Sequence, residues 1–273
     1  MALTLTYTGH TQVPVEVEGL TPTWCAGKSL AEIERFEIFL GNRKVPLAEL
    51  FTVRGDPDDL TQIWQGDLRG VHWIGAHLEG GHLVIEGSAG RHVGSQMRSG
   101  TIVVQGDADG WAGAEMRGGL LRIQGNAGHL AGAAYRGSPK GMRGGTLLIE
   151  GNAGNEVGLA MRRGLIAIQG HVEDMLGFHM IAGTIVVCGN CGVRPGAGMK
   201  RGTLALWGTQ PPTLLPTFRY ALTTQLVVMR LLLAHLEQLQ FPFDPQLWHA
   251  PSRIYHGDLV ELGKGEIWLR DQA

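Results

Sequence analysis

The sequence predicts an all-β fold, a right-handed parallel β-helix solenoid whose coils repeat every 19 residues. First, a glycine recurs from Gly81 to Gly202, at a spacing of 19 residues five times and of 26 residues once. Second, two aliphatic columns lie two residues apart, which is the period of a strand. The first of these columns is Leu83, Ile102, Leu121, Leu147, Ile166, Ile185 and Leu204. Third, six methionines share one register position, namely Met97, Met116, Met142, Met161, Met180 and Met199. A fixed period of this size is typical of a solenoid.

The repeat contains no apolar pattern of helical period, so each coil is predicted to consist of short strands. Identical columns then pair in parallel from coil to coil, and the aliphatic and methionine columns line a dry interior. The coil length of 19 is not a multiple of six, which argues against a left-handed hexapeptide helix. Glycine columns that include Gly94 and Gly125 are predicted to be corners with positive φ, and the short polar column after Gly125 is expected to tolerate the same geometry.

Three regions follow from this pattern. Residues 60–210 form about seven coils, of which the first begins near Leu60 and carries Leu78 at the methionine position. Residues 1–59 are predicted to be a small α/β cap, with alternating apolar strands, a short helix at Ser29–Arg35 and a hairpin turning at Gly41-Asn42. Residues 211–273 are predicted to be a second cap, a helix over 217–240 followed by a hairpin over 253–269. Caps are required because the end coils expose unpaired strand edges.

Composition excludes several classes of protein. The net charge of −2 argues against a dedicated nucleic-acid binder, which normally carries an excess of basic residues. The apolar stretch Leu226–Ala234 is too short to span a bilayer. Three cysteines in a chain of 273 residues indicate a reducing compartment, and no signal-peptide pattern opens the chain, so we expect a cytoplasmic protein.

No arrangement of residues predicts an active site. Cys188-x-x-Cys191 lacks the two further ligands that structural zinc needs, and Cys191 lies in a column of alanines, so a small buried residue is the simpler interpretation. The histidines fall in several different columns, and the carboxylates do not gather in pairs. We therefore expect no catalytic residue and no metal site in this chain.

Two features remain as candidate contact sites. A basic column follows the methionine column and consists of Arg98, Arg117, Arg143, Arg162 and Lys200, interrupted by Ile181. A seven-residue insertion in one coil, 134–140, contains Tyr135, Arg136 and Lys140 and must protrude from the stack. A solvated outer face and a tolerated insertion explain these features about as well as a docking stripe for an acidic partner or an anionic ligand does.

Several of these residues resemble a known family. The segments are A-G-A-A-Y-R-G-S-P-K-G-M-R-G-G (131–145), E-G-N-A-G (150–154) and M-R-R-G (161–164), with L-T-P, A-G-K-S-L and G-N near the N-terminus. They are similar to the C subunit of formylmethanofuran dehydrogenases. The composition, with 18 arginines and 5 lysines, favours the bacterial branch of that family, the C subunit of the formyltransferase/hydrolase complex of methylotrophs.

The resemblance implies a β-helix like the C-terminal domain of glutamate synthase, acting as a non-catalytic scaffold. It implies partner subunits of amidohydrolase-like, dehydrogenase-B-like and formyltransferase type, which would hold the metal and a methanofuran-type carrier. Those partners would pass a formyl group between tetrahydromethanopterin and the carrier and release it as formate, and this subunit would bind no cofactor directly. Three alternatives stay open: the C subunit of a molybdenum or tungsten dehydrogenase, a glutamate synthase-type β-helix domain, and an independent β-helix enzyme.

Overall fold

A computed structural model describes residues 1–271 of the chain. Most of its regular structure is β-strand, as predicted, and the strands form a thirteen-stranded mixed sheet and a four-stranded sheet. The longest helix has 12 residues. Within residues 1–271, no helix combines the length and apolar character needed to cross a membrane.

The N-terminal region contains the predicted strands, short helix and hairpin, and two elements that were not predicted from the sequence. Its elements are β1 (Leu3–Tyr7), β2 (Val15–Glu16), α1 (Pro22–Cys25), α2 (Leu30–Glu34), β3 (Glu37–Leu40), β4 (Arg43–Pro46) and β5 (Phe51–Arg54), of which α1 and β5 are the unpredicted ones. Helix α2 begins at a capping box, in which Ser29 and Glu32 satisfy each other's backbone N–H groups. The β3–β4 hairpin turns where predicted, with Gly41 at φ +61. Strand β1 joins the large sheet between β5 and the first repeat strand.

The repeat region supplies one principal strand per sequence repeat. The strands are β6 (Thr61–Gln65), β7 (Val71–His72), β8 (His82–Ile85), β9 (Thr101–Val104), β10 (Leu120–Ile123), β11 (Arg143–Ile149), β12 (Arg163–Ile168), β13 (Thr184–Val187) and β14 (Arg201–Leu206). Apart from β7, which pairs with β2 in the small sheet, each strand pairs in parallel with the next. The aliphatic columns meet in the predicted register, as Ile102 opposite Leu121 shows. A second line of parallel bridges joins Leu68, Ala89, Ala108, Ala127, Ala153, Val172 and Cys191.

The repeat columns form the core. All six methionines of the register column are 0% exposed, and the aliphatic residues Ile102, Leu121 and Leu147 are equally buried. Burying a side chain of this size contributes roughly 1.5–3 kcal/mol. The prediction of an interior lined by sulfur and aliphatic side chains is therefore confirmed.

The two corner columns need glycine for different reasons. Gly94 has the predicted left-handed backbone, with φ +63, and its column repeats this conformation. The prediction is wrong for most of the second column, since the φ of Gly106, Gly125, Gly151, Gly170 and Gly189 is not positive, although Gly87 in the same column has φ +100. A Cβ atom on Gly125 would lie 2.3 Å from Oδ1 of Asp107 and 2.7 Å from the carbonyl carbon of Gly106. Glycine stands there because adjacent coils approach too closely for any side chain.

The short polar column next to Gly125 also has a different role from the predicted one. Its side chains accept hydrogen bonds from the backbone of the following coil: Asn126 Oδ1 from Asn152 N at 2.8 Å, and Asn152 Oδ1 from His171 N at 2.7 Å. His171 continues this ladder, because its Nδ1 accepts from Asn190 N at 2.8 Å. The column therefore joins the coils rather than tolerating a left-handed turn.

The C-terminal region differs from the prediction in one element. It contains β15 (Arg219–Thr224), α3 (Val227–Gln238), β16 (Ser252–Gly257) and β17 (Lys264–Arg270). The predicted helix over 217–240 is wrong in its first part, because β15 pairs antiparallel with β16 and a strand extends the sheet there. The predicted hairpin is confirmed, since β16 and β17 are antiparallel and β17 also pairs in parallel with β14.

Helix α3 covers the outer face of the large sheet. Its buried residues Met229, Leu233 and Leu236 belong to a second apolar cluster that includes Ala167 and Trp268. At the end of the helix, Arg122 donates to the carbonyls of Leu239 and Gln240 and forms an ion pair with Glu150. A cation at this position complements the partial negative charge of a helix C-terminus.

Candidate partner-binding surface

The basic column forms a row along the surface of the repeat region, interrupted at Ile181. Each member donates its backbone N–H to the residue at the methionine position one repeat earlier: Arg117 to Met97 O at 2.7 Å, and Arg162 to Met142 O at 2.8 Å, with Leu78 in that place for Arg98. Arg143 and Lys200 make the same contact, to Met116 and Met180. The cations therefore stack at the interval between coils, roughly 4.8 Å.

Carboxylates neutralise only part of this row. Arg98 pairs with Glu79, Arg143 pairs with Glu115 at 3.0 Å, and Lys200 lies 3.8 Å from Glu261. Arg117 and Arg162 are exposed, and among residues 1–271 no carboxylate lies within ion-pair distance of either. Adjacent like charges repel unless they are solvated or matched by anions, so these two arginines are the members of the row that remain available to an external anion.

The Arg143 guanidinium forms an ion pair with a carboxylate of the same chain, that of Glu115. Glu115 is 6% exposed, and its Oε2 accepts from the Arg143 guanidinium while its Oε1 lies 3.4 Å from the backbone N–H of Tyr135. A buried carboxylate needs such partners, since an unpaired one is costly. Arg143 therefore supports the base of the insertion.

The insertion is fixed at both ends to the coil that follows it. Ala134 N donates to Leu159 O at 3.0 Å, and Gly141 N donates to Ala160 O at 2.9 Å. Within it, Arg136 is exposed and Lys140 is half-buried. These two cations therefore protrude from an anchored loop next to the basic column.

Tyr135 folds back onto the stack. Its hydroxyl donates to Ser95 Oγ at 2.9 Å and lies 3.1 Å from His92 Nδ1. Burial raises the pKa of Tyr135 to about 12. The Tyr135 side chain holds the insertion in place, so only part of that side chain is available for contact with another molecule.

Sequence reasoning missed the aromatic row beneath Tyr135. Trp73, His92 and Trp111 stack with ring centroids 4.1 Å and 5.4 Å apart, at interplanar angles of 12° and 23°. All three have left-handed backbones, with φ between +61 and +66. Burial is the main cause that lowers the pKa of His92 to about 4, and the nearby His72 is a smaller one. The imidazole of His92 is therefore neutral at pH 7. The signal was present, since the three residues stand 19 positions apart.

Three further cations were also missed. Arg163, Arg201 and Lys264 are exposed and lie at the first positions of β12, β14 and β17, where Arg201 and Lys264 are register partners. They extend the positive surface along the same edge of the sheet. We define the cationic surface as Arg117, Arg136, Lys140, Arg162, Arg163, Arg201 and Lys264.

Comparison with known proteins identifies the family. The chain is similar to a chain of the crystal structure of the formyltransferase/hydrolase complex (FhcABCD) from Methylorubrum extorquens in complex with methylofuran. The two are 37% identical, and the match covers 98% of this chain and 100% of that one with a TM-score of 0.91. This chain belongs to the C-subunit family of that complex and of the formylmethanofuran dehydrogenases. The resemblance seen in the sequence is confirmed.

Curated relatives match over shorter segments. The C subunit of tungsten-containing formylmethanofuran dehydrogenase 2 of Methanothermobacter wolfeii is 38% identical over 86 residues, which is 30% of this chain and 32% of that protein. The C subunit of molybdenum-containing formylmethanofuran dehydrogenase 1 of Methanosarcina barkeri is 42% identical over 86 residues, or 28% of its length. The match therefore spans about a third of the length of each of these two relatives. No protein-family model matches the chain.

The three cysteines of this C-subunit family member are free thiols, of which Cys25 is buried and Cys188 and Cys191 are partly buried. Cys191 occupies the alanine column, as predicted, through its bridge to Val172. Burial raises the pKa values of Cys188 and Cys191 to about 12, so both are thiols at neutral pH. Residues 1–271 contain no group of three or more His, Cys, Asp or Glu that could hold a metal ion.

Proposed function

We propose that this chain is the scaffold, or C subunit, of a formyltransferase/hydrolase complex in tetrahydromethanopterin-linked one-carbon metabolism. The observation that carries this proposal is the match to a chain of such a complex over 98% of the sequence at a TM-score of 0.91. In this proposal the chain has no active site of its own. Partner subunits transfer the formyl group to a methanofuran-type carrier and release it as formate.

The scaffold is a right-handed parallel β-helix in this proposal. Parallel pairing of one strand per coil from β6 to β14, with the second line of bridges at the alanine column, supports a stack of coils. Residues 1–59 and 211–273 then act as caps, because β1 and β17 continue the pairing at the two ends of the coils 60–210. Such a stack holds its surface residues at fixed spacings, which suits a platform for other subunits.

The proposed partners are amidohydrolase-like, dehydrogenase-B-like and formyltransferase subunits of the same cytoplasmic complex. The metal and the carrier's reactive end belong to those subunits. The cationic surface contacts an acidic partner or a glutamate-bearing carrier, and the unpaired guanidinium groups of Arg117 and Arg162 support this role.

Charge reversal tests the contact. Arg117→Glu with Arg162→Glu should reduce carrier retention or assembly, whereas Arg98→Glu serves as the matched control because Glu79 already neutralises Arg98. Arg143 is unsuitable for this test, since its loss would leave the buried Glu115 unpaired. Unchanged assembly and unchanged carrier retention in the double variant would remove the cationic surface from the proposal.

Purification of the intact assembly tests the function itself. The tagged chain should co-purify with formyltransferase-type and hydrolase-type subunits, and the complex should release formate from a formylated carrier. Similarity to tungsten and molybdenum dehydrogenases at 38–42% identity favours a redox complex as the second candidate. Stoichiometric molybdenum or tungsten in the purified complex would favour that candidate, and a chain that catalyses a reaction alone would refute both.

A further inference from the structure

The large sheet ends in a strand that nothing in residues 1–271 covers. Strand β15 hydrogen-bonds only to β16, and its residues are exposed along nearly its whole length. Tyr220 is 56% exposed and Leu222 is 45% exposed. A free strand edge of this kind is a template for pairing with another chain.

Another edge of the protein is protected against such pairing. Strand β4, at the border of the small sheet, carries Arg43, Lys44 and Pro46, which are the residue types that discourage edge-to-edge association. Strand β15 has neither lysine nor proline, and its single charged residue is Arg219. Strand β15 therefore combines an unprotected edge with large exposed apolar side chains, Tyr220 and Leu222.

Exposed apolar side chains are concentrated around this strand. Of the 13 large hydrophobic residues that are exposed within residues 1–271, eight lie between Tyr220 and Leu262. Helix α3, which follows β15 after two residues, exposes Val227 at 78%, Val228 at 49% and Leu231 at 69%. We define the C-terminal patch as Tyr220, Leu222, Val227, Val228 and Leu231. Patches of this kind on soluble proteins mark interaction sites.

The charge of residues 211–236, which contain the C-terminal patch, indicates what kind of molecule covers the patch. Residues 211–236 contain no Asp or Glu, and their two charged residues, Arg219 and Arg230, are exposed without an ion pair in the described chain. The neighbouring loop between β16 and β17 has two acidic residues: Asp258 is buried and accepts from the backbone N–H groups of Gly198 and Val260, and Glu261 lies 3.8 Å from Lys200. A second copy of this chain would bring the same patch to the interface and gather four arginines without a carboxylate. The complementary occupant is a different polypeptide that carries carboxylates.

We propose that β15 is extended by a strand from another subunit of the complex, so that the partner's backbone pairs with the free edge from Arg219 to Thr224. Apolar side chains of that strand and of the residues around it pack on the C-terminal patch, and its carboxylates pair with Arg219 and Arg230. Backbone hydrogen bonds supply affinity in this mode of recognition, and alternate side chains supply specificity. The inference rests on the proposed function, and it names the surface that attaches the scaffold to a partner.

The test uses the whole complex in cells that express all of its subunits, with a tag on this chain. Leu222→Lys and Leu231→Lys place a charge on the patch at positions that are 45% and 69% exposed, so neither change disturbs the core. Val193→Lys is the matched control, because Val193 is 51% exposed and lies outside the patch. The patch variants should recover about tenfold less of one identified partner subunit, and the control should recover as much as wild type.

Hydrogen exchange gives a second readout. The amides of 219–224 that do not bond to β16 should exchange at least about tenfold more slowly in the assembled complex than in the free chain. Exchange that is unchanged on assembly, or patch variants that assemble as wild type does, would overturn the inference. Protection of β15 by a homodimer of the free chain would also overturn it. If the wild-type chain recovers no subunit of the complex at all, the proposed function fails instead.

Discussion

Substituting Gly125 tests how closely the coils pack. In Gly125→Ala the new Cβ would lie 2.3 Å from Asp107 Oδ1 and 2.7 Å from the carbonyl carbon and oxygen of Gly106. The coils cannot separate freely there, because Gly125 N donates to Gly106 O at 3.0 Å and Asn126 N donates to Asp107 Oδ1 at 2.6 Å. Overpacking of about 1–3 kcal/mol, with about 1 kcal/mol for the displaced hydrogen bond, predicts a loss of roughly 2–4 kcal/mol in the free energy of unfolding.

Gly70 is the matched control. A Cβ atom on Gly70 meets nothing within 4 Å, and its φ is not positive. Gly70→Ala should therefore leave stability unchanged or raise it by about 0.4–1 kcal/mol, since alanine restricts the unfolded chain. Urea unfolding of the purified chain, followed by far-UV circular dichroism, compares the two midpoints. Equal midpoints for the two variants would refute the reasoning that adjacent coils exclude a side chain at Gly125.

Four further predictions concern the interior, the ladder and the aromatic row. Met116 is 0% exposed, so Met116→Ala should lower the free energy of unfolding by about 2–5 kcal/mol. Met116→Leu, which keeps the volume, should lower it by less than about 1.5 kcal/mol, and urea unfolding measures both. His171→Asn should keep the bond to Asn190 and stay near wild type, whereas His171→Ala should lose about 1 kcal/mol in the same assay. Tyr135→Phe should lose about 1–2 kcal/mol and speed limited proteolysis of the insertion. Because the pKa of His92 falls from 6.5 to about 4 on folding, its neutral form favours the folded state. Stability should thus decline as the pH drops from about 6.5 towards 4, and His92→Gln should reduce that decline in thermal melts.

The repeat made much of the fold predictable from the sequence. Each coil repeats the same local signals, so a column such as that of Ile102 and Leu121 fixes strand, register and inward direction together. The error at β15 has a physical cause. Leu222, Leu226 and Met229 fit a helical period, but the first of them pairs with Ile254 across the sheet, and this long-range contact decides the conformation.

The candidate surface was predictable in position but not in its pairing. The sequence located the basic column, yet which cations remain free depends on carboxylates far along the chain. Glu115 reaches Arg143 across 28 residues because its left-handed backbone, with φ +52, stands opposite the insertion, and no column pattern encodes that contact. The aromatic row mixes residue types, because His92 stacks on Trp73 and on Trp111, so no column of a single residue type reveals it.

The pinned insertion has a consequence for binding. A flexible loop would lose conformational entropy when a partner ordered it, at about 0.5–1.5 kcal/mol for each long side chain that is immobilised. Here the backbone is already fixed at Ala134 and Gly141, and Tyr135 is bonded to Ser95 across 40 residues. Only the side chains of Arg136 and Lys140 remain to be ordered, so most of the entropic cost of presenting these cations is met when the chain folds. Loosening the anchor at Tyr135 should therefore weaken a contact made by Arg136.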